Sequence, residues 1–102
     1  MSLKTVVKGQ IVTILVDGSF DVSVYEEFKQ AYLAHLTDTC QYVIDMQKTT
    51  YMDSSALGML LLLREKTGGD KTRVKLINVD ENVSSILEVA QFHQLFDIQT
   101  KR

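Results

Sequence analysis

This chain of 102 residues has no proline and no tryptophan, one cysteine and five glycines. Each scarcity excludes something. A lone Cys40 cannot build a disulfide framework or a cysteine-rich zinc site, and it suits a reducing compartment. It reads as a small residue at an element boundary. Without proline there is no rigid recognition tract, so turns fall to glycine, asparagine and aspartate. Neither sign of charge prevails: 11 basic against 13 acidic side chains give a net charge of −2. A nucleic-acid binder shows a basic face, whereas the densest basic stretch here, Lys71-Thr-Arg73-Val-Lys75, holds three charges at alternate positions and reads as the solvent side of a strand. Nucleic acid is therefore not an expected partner. The longest apolar run, Met59 to Leu63, is far short of the roughly 18 residues that span a bilayer. Met1-Ser-Leu-Lys-Thr also lacks the apolar segment of a secretion signal. No membrane span is expected, and the expected location is cytoplasmic. What is present is a globular balance, 45% hydrophobic and 24% charged. It predicts one domain over residues 1–102, long enough to fold without disulfides or metals.

Val6-Val7 and Ile11 to Val16 are β-branched runs on either side of Lys8-Gly9-Gln10, a hairpin pattern. Asp17-Gly18-Ser19 stops the second strand. Ser23-Val-Tyr-Glu26 has the form of a capping box, and Tyr25, Phe28, Tyr32 and Leu36 follow on one helical face. Thr37-Asp38-Thr39 ends that helix, and Tyr42 to Met46 is a short strand. Residues 47–52 read as a loop into a second helix, which Gly68-Gly69-Asp70 terminates. Val74 to Asn78 is a further strand. Asp80 or Asn82 caps a third helix that carries Val83, Ile86, Leu87 and Ala90. Phe92, Leu95 and Phe96 form a short turn before a strand-like Asp97-Ile98-Gln99. The order β-β-α-β-α-β-α predicts an α/β fold: a mixed, mostly parallel sheet of four to five strands, right-handed crossovers, and helices covering the sheet.

The second helix carries more than fold. Seven of the eight residues from Ala56 to Leu63 are apolar. Such a helix is either buried all round or leaves one side for a partner. Its start, Asp53-Ser54, follows a loop directly, so one of the two is the N-cap. A helix start with free amides also accommodates an added phosphate, which carries about −1.5 to −2 charges. Catalysis finds little support. There is no G-x-S-x-G elbow around Ser54, and His35 and His93 read as solvent-facing or core-edge residues. Thr67-Gly-Gly-Asp-Lys-Thr72 has the wrong spacing and context for a phosphate loop. The chain reads as a non-enzyme with no cofactor and no metal.

Asp53-Ser54-Ser55-Ala56-Leu57-Gly58 resembles the aspartate-serine-serine/threonine-glycine-leucine-glycine signature of STAS domains, specifically the bacterial anti-sigma factor antagonists. Gly18-Ser-Phe-Asp21 resembles that family's glycine-x-leucine-aspartate after the second strand. Tyr51-Met52 and the third helix ending near Phe96 agree, so the likeness spans essentially the whole chain. It implies a STAS-like fold and a regulator that works by partner switching. The resemblance implies phosphorylation on Ser54, binding of an anti-sigma factor with serine kinase activity when unmodified, and restoration by a serine phosphatase. It further implies that Asp53 positions the hydroxyl or the kinase's nucleotide, and that Asp21 and Ser55 contact the partner. Leu57, Met59 and Leu61 are the candidate docking residues of the second helix. One departure is Ala56, where the family has its first glycine. Alanine favours helix by roughly 1 kcal/mol over glycine, so a stiffer helix start and a more crowded approach for the partner are expected. STAS-like domains also serve as subunits of lipid-transport ATPases, which is the alternative reading. They occur too as tails of anion transporters, disfavoured by a chain of this length without a span.

Overall fold

The computed structural model describes residues 3–101. Its elements are β1 (Leu3–Lys8), β2 (Ile11–Val16), β3 (Gly18–Phe20), α1 (Tyr25–Leu33), β4 (Gln41–Asp45), β5 (Thr49–Met52), α2 (Ser54–Lys66), β6 (Val74–Val79), α3 (Glu81–Val89) and β7 (Asp97–Thr100). Short 3-10 turns at Val22–Val24, Lys71–Arg73 and Phe92–Gln94 connect them. The main sheet has the order β1-β2-β4-β6-β7. Its β1–β2 pair is antiparallel and every other pair is parallel, the mixed, mostly parallel sheet that the alternation of strands and helices predicts. Gly9, at φ 58°, makes the two-residue turn between Lys8 and Ile11, a left-handed conformation that glycine adopts without penalty.

Burial alternates along the strands. Val12, Ile14 and Val16 of β2, and Tyr42 and Ile44 of β4, are buried, whereas Thr13, Leu15, Val43 and Asp45 between them are not. Side chains on alternate positions face opposite sides of a sheet. One face therefore meets the core and the other is left uncovered by helices. The helices bury Phe28, Tyr32, Leu60, Leu63, Val83 and Leu87 into that same core. The expectation that helices cover the sheet holds for one side only. Phe20, Phe28, Tyr32 and Tyr42 run through the core as a chain of tilted and edge-on rings, and the Tyr42 hydroxyl donates to the Tyr32 carbonyl.

Several local readings change. Residues 47–52 are not a plain loop: Thr49–Met52 pairs in parallel with Gly18–Phe20 to make a second, two-stranded sheet. These strands are too short to show alternation, and their partner lies some thirty residues away, so only tertiary contact reveals them. Lys71–Arg73 is a turn rather than a strand start. Its Arg73 guanidinium donates to the Cys40, Thr67 and Thr37 carbonyls at 2.9, 3.2 and 2.8 Å. Ser23 does not cap the first helix. Asp21 accepts both the Ser23 amide and its hydroxyl, and α1 begins after that turn at Tyr25 and ends at Leu33, short of Leu36. A carboxylate two residues upstream captures the serine before it can serve the helix. Asp80, not Asn82, caps α3 through the Val83 amide. At the end of α2, Gly69 N–H bonds the Arg64 carbonyl and Gly68 N–H that of Glu65, with φ of 75° and 86°: a Schellman close.

Candidate functional site

The two-stranded sheet assembles the site. β3 and β5 run in parallel with Phe20 opposite Met52, and each strand is followed by an aspartate that caps the next helical segment. The Asp53 amide donates to the Phe20 carbonyl at 3.4 Å. Asp21 and Asp53, thirty-two positions apart in sequence, thus emerge side by side at the carboxyl edge of this ribbon. Their local geometry repeats. Asp21 Oδ1 accepts from the Ser23 amide at 2.9 Å and the Ser23 hydroxyl at 2.6 Å. Asp53 Oδ1 accepts from the Ser55 amide at 3.0 Å and the Ser55 hydroxyl at 2.6 Å, and also from the Ala56 amide at 3.2 Å.

Asp53 is therefore the N-cap of α2, of the two candidates, and Ser54 is its first residue. The Ser55 hydroxyl, together with the first-turn amides, holds the Asp53 carboxyl below its usual range. It is ionised at neutral pH and sits where a helix start favours negative charge. The same bonds answer the question of the free amides. Those of Ser55 and Ala56 are already taken by Asp53, so a phosphate on Ser54 does not inherit them and stands instead beside an ionised carboxylate.

The two serines are not equivalent. Ser55 is half-buried, and its hydroxyl is committed to Asp53. Ser54 is exposed, and among the described residues no hydrogen bond engages its hydroxyl. From Ser54 an outward stripe continues along α2 at helical spacing through Gly58, Leu61, Leu62 and Glu65, all exposed. Leu61 and Leu62 are each 41% exposed. An added Cβ at Gly58 meets nothing within 4 Å, so no packing inside the domain demands a glycine there.

Of the helix residues singled out from sequence, Leu61 lies on this stripe. Leu57 is half-buried at its margin, lining a mostly apolar groove of about 360 Å³ with Ser85, Ile86 and Val89 of α3 and its C-cap Ala90. Met59 is a correction: it is buried at 3% exposure against the core, because it shares the inward face with Ala56, Leu60 and Leu63. Ala56 is itself fully buried, so it does not crowd a partner. Gly58 figured in the sequence only as the end of the hexapeptide, and Leu62 and Val89 were not singled out there. The first two could have been found by counting four and eight residues on from Ser54; Val89, 86% exposed, has no such signal.

Comparison with known proteins follows the same lines. The family model described as "Mlab, STAS domain" matches residues 4–98. A STAS-domain containing protein of Pseudomonas aeruginosa (strain UCBPP-PA14) is 43% identical over 90 residues, which is 88% of this chain and 89% of that protein. The structure of the anti-sigma factor antagonist SpoIIAA in its unphosphorylated form superimposes with a TM-score of 0.69 at 18% identity, over 98% of this chain and 88% of that one. An anti-sigma factor antagonist from Mycobacterium paratuberculosis gives a TM-score of 0.78 at 21% identity, over 96% and 86%. The structural likeness establishes the shared fold, and the family model extends over nearly the full sequence. This chain belongs to the STAS-domain family.

Proposed function

We propose that the protein is an anti-sigma factor antagonist that works by partner switching, with Ser54 as the phosphorylated residue. One observation carries the reading: the Ser54 hydroxyl is exposed and uncommitted at the head of an apolar stripe that the domain leaves uncovered, while Ser55 beside it is tied to Asp53. In the unmodified protein the stripe from Ser54 to Leu62 docks on an anti-sigma factor with serine kinase activity, with Leu57 at its margin. Asp21, Asp53 and Ser55 frame the hydroxyl. The same partner phosphorylates Ser54, and a serine phosphatase reverses it. The protein acts by binding, in the cytoplasm, and catalyses nothing itself.

The switch is electrostatic. A phosphoserine adds about −1.5 to −2 charges where the Ser55 and Ala56 amides are already occupied and the preceding residue is the ionised Asp53. Covering the stripe then strips water from a charge that the helix no longer neutralises. Such an uncompensated charge costs several kcal/mol, and about 3 kcal/mol exceeds a hundredfold in affinity. The fold itself does not change, because Ser54 makes no core contact.

Membership of the STAS family also accommodates a second reading, a STAS-type binding subunit of a lipid-transport ATPase complex, in which the same face of α2 docks permanently. Calorimetric titration of unmodified, Ser54-phosphorylated and Ser54→Ala protein against the anti-sigma partner separates the two. Partner switching requires tight binding by the unmodified and Ser54→Ala forms and a loss of roughly a hundredfold or more on phosphorylation. Equal affinities, or kinase and ATP modifying Ser55 alone, would overturn it and favour the transport subunit.

A further inference from the structure

The two turns at the end of the β3–β5 ribbon differ at one place. Asp21-Val22-Ser23 and Asp53-Ser54-Ser55 follow the same backbone route. Both aspartates are extended, and each carboxylate takes the amide and the hydroxyl of the serine two residues on. The residue between aspartate and serine is therefore duplicated as well: Ser54 in one turn, Val22 in the other. Neighbouring strands lie about 4.8 Å apart, and both chains leave the ribbon in the same direction, which sets Val22 beside Ser54. The helices that follow stay together, since Tyr25 and Lys29 of α1 line one crevice with Met59 and Leu62 of α2.

Val22 does nothing for the fold. It is 71% exposed, while Val24 two residues on is buried. Of the large apolar side chains described, only Val89 is more exposed. A single apolar side chain in water is ordinary, but this one is held still. Asp21 closes the turn beneath it, with its carboxylate on Ser23 and its carbonyl accepting from the Val24 amide at 3.1 Å, and a β-branched side chain has few rotamers to lose. The entropy of ordering a contact residue is then largely spent before any partner arrives.

The surroundings specify what could cover it. Asp21 precedes Val22, Asp53 stands in the neighbouring turn, and Glu26 and Glu27 are exposed in the first turn of α1 directly after it. Against these four carboxylates the same stretch holds one ammonium group, that of Lys29, which lies over the Tyr25 ring. A surface complementary to this patch has an apolar centre and a basic rim.

We propose that Val22 is a docking anchor for the anti-sigma kinase partner, entering a small apolar pocket rimmed by lysine or arginine and so seating the partner over Ser54. This rests on the reading of Ser54 as the phosphorylated residue. The test is steady-state phosphorylation and calorimetry with the partner, using the unaltered protein, Val22→Ala, Val22→Thr, and Glu26→Gln combined with Glu27→Gln. Val22→Ala should raise KM and Kd roughly tenfold, because two methyl groups no longer leave water, with kcat unchanged, as for a contact that serves binding alone. Val22→Thr keeps the shape but brings a hydroxyl into the pocket, and should lose affinity in the same way. The double glutamine variant should associate several-fold more slowly, with a weaker dependence on salt. Near-normal Tm values show that these exposed substitutions leave the fold intact. If Ser54 is phosphorylated and phosphorylation abolishes binding, yet Val22→Ala keeps KM and Kd within twofold, the anchor alone is overturned; a fall in kcat at unchanged KM overturns it too. Tighter binding by the double glutamine variant refutes the basic rim. Absence of phosphate on Ser54, or equal affinity before and after phosphorylation, overturns the partner-switching reading and the anchor with it.

Discussion

Gly58→Ala sets fold stability against partner binding. Gly58 is in the interior of α2, and a glycine there is about 0.8–1.0 kcal/mol less favourable than alanine. The position is exposed, the backbone is helical, and the new methyl meets nothing within 4 Å. Neither strain nor clash opposes the gain, and burial adds nothing to it. The substitution should therefore stabilise the free protein by about 0.5–1 kcal/mol, which for a domain of this size raises Tm by roughly 3–6 °C. The partner experiences the opposite. The methyl projects from the stripe between Ser54 and Leu61–Leu62, where it would stand in the way of a partner docked as proposed. Overpacking of this kind costs about 1–3 kcal/mol, or roughly five- to 150-fold in affinity. Thermal unfolding followed by circular dichroism gives the first number, and calorimetry with the anti-sigma partner gives the second. A fall in Tm would show that the fold itself requires the glycine. A rise in Tm with unchanged affinity would refute the stripe as the docking face.

Tyr42→Phe removes the hydroxyl that serves the Tyr32 carbonyl. That carbonyl keeps the His35 amide at 3.3 Å, so the loss should be near one ordinary hydrogen bond, about 1 kcal/mol, read as a lower urea midpoint at unchanged m. Arg73→Lys cannot reach the three carbonyls that the guanidinium joins, and should cost about 2 kcal/mol in the same assay. Acid should weaken the fold through the caps. The Ser55 hydroxyl holds the Asp53 carboxyl low and the Thr72 amide does so for Asp70. Because folding lowers both pKa values, their stabilisation is complete above the ordinary carboxylate range and is lost as pH falls through about 4 and below. Asp53→Asn keeps a capping side chain but cannot titrate, so its Tm should drop less between pH 7 and pH 3 than that of the unaltered protein. With the cognate kinase and ATP, phosphate incorporation into Asp53→Asn should be slower while its Tm at pH 7 stays near normal; an unchanged rate would reduce Asp53 to a cap.

The elements with long, regular patterns were legible in the chain: the alternation of β2, the apolar face of α3 at Val83, Ile86 and Leu87, and the glycine stop after Lys66. These depend on local periodicity and local hydrogen bonds, which a linear sequence records. So does the start of α2, where a cap residue precedes an apolar run. Local pattern failed where two local partners competed, as when Asp21 took the serine that otherwise reads as the cap of α1.

The position of Asp21 beside Asp53 was a different matter. It depends on two strands of three and four residues whose pairing is non-local, and the family motifs suggested the juxtaposition only by analogy. The outward side of α2 was likewise undecided, because a helix apolar almost all round has no polar face to mark it. Packing made that choice: Ala56, Met59, Leu60 and Leu63 fill the space over the sheet, and Ser54, Gly58, Leu61 and Leu62 are left outside. Periodicity along a chain measures contrast between faces, and where the contrast is absent only the shape of the surrounding core decides which face is buried.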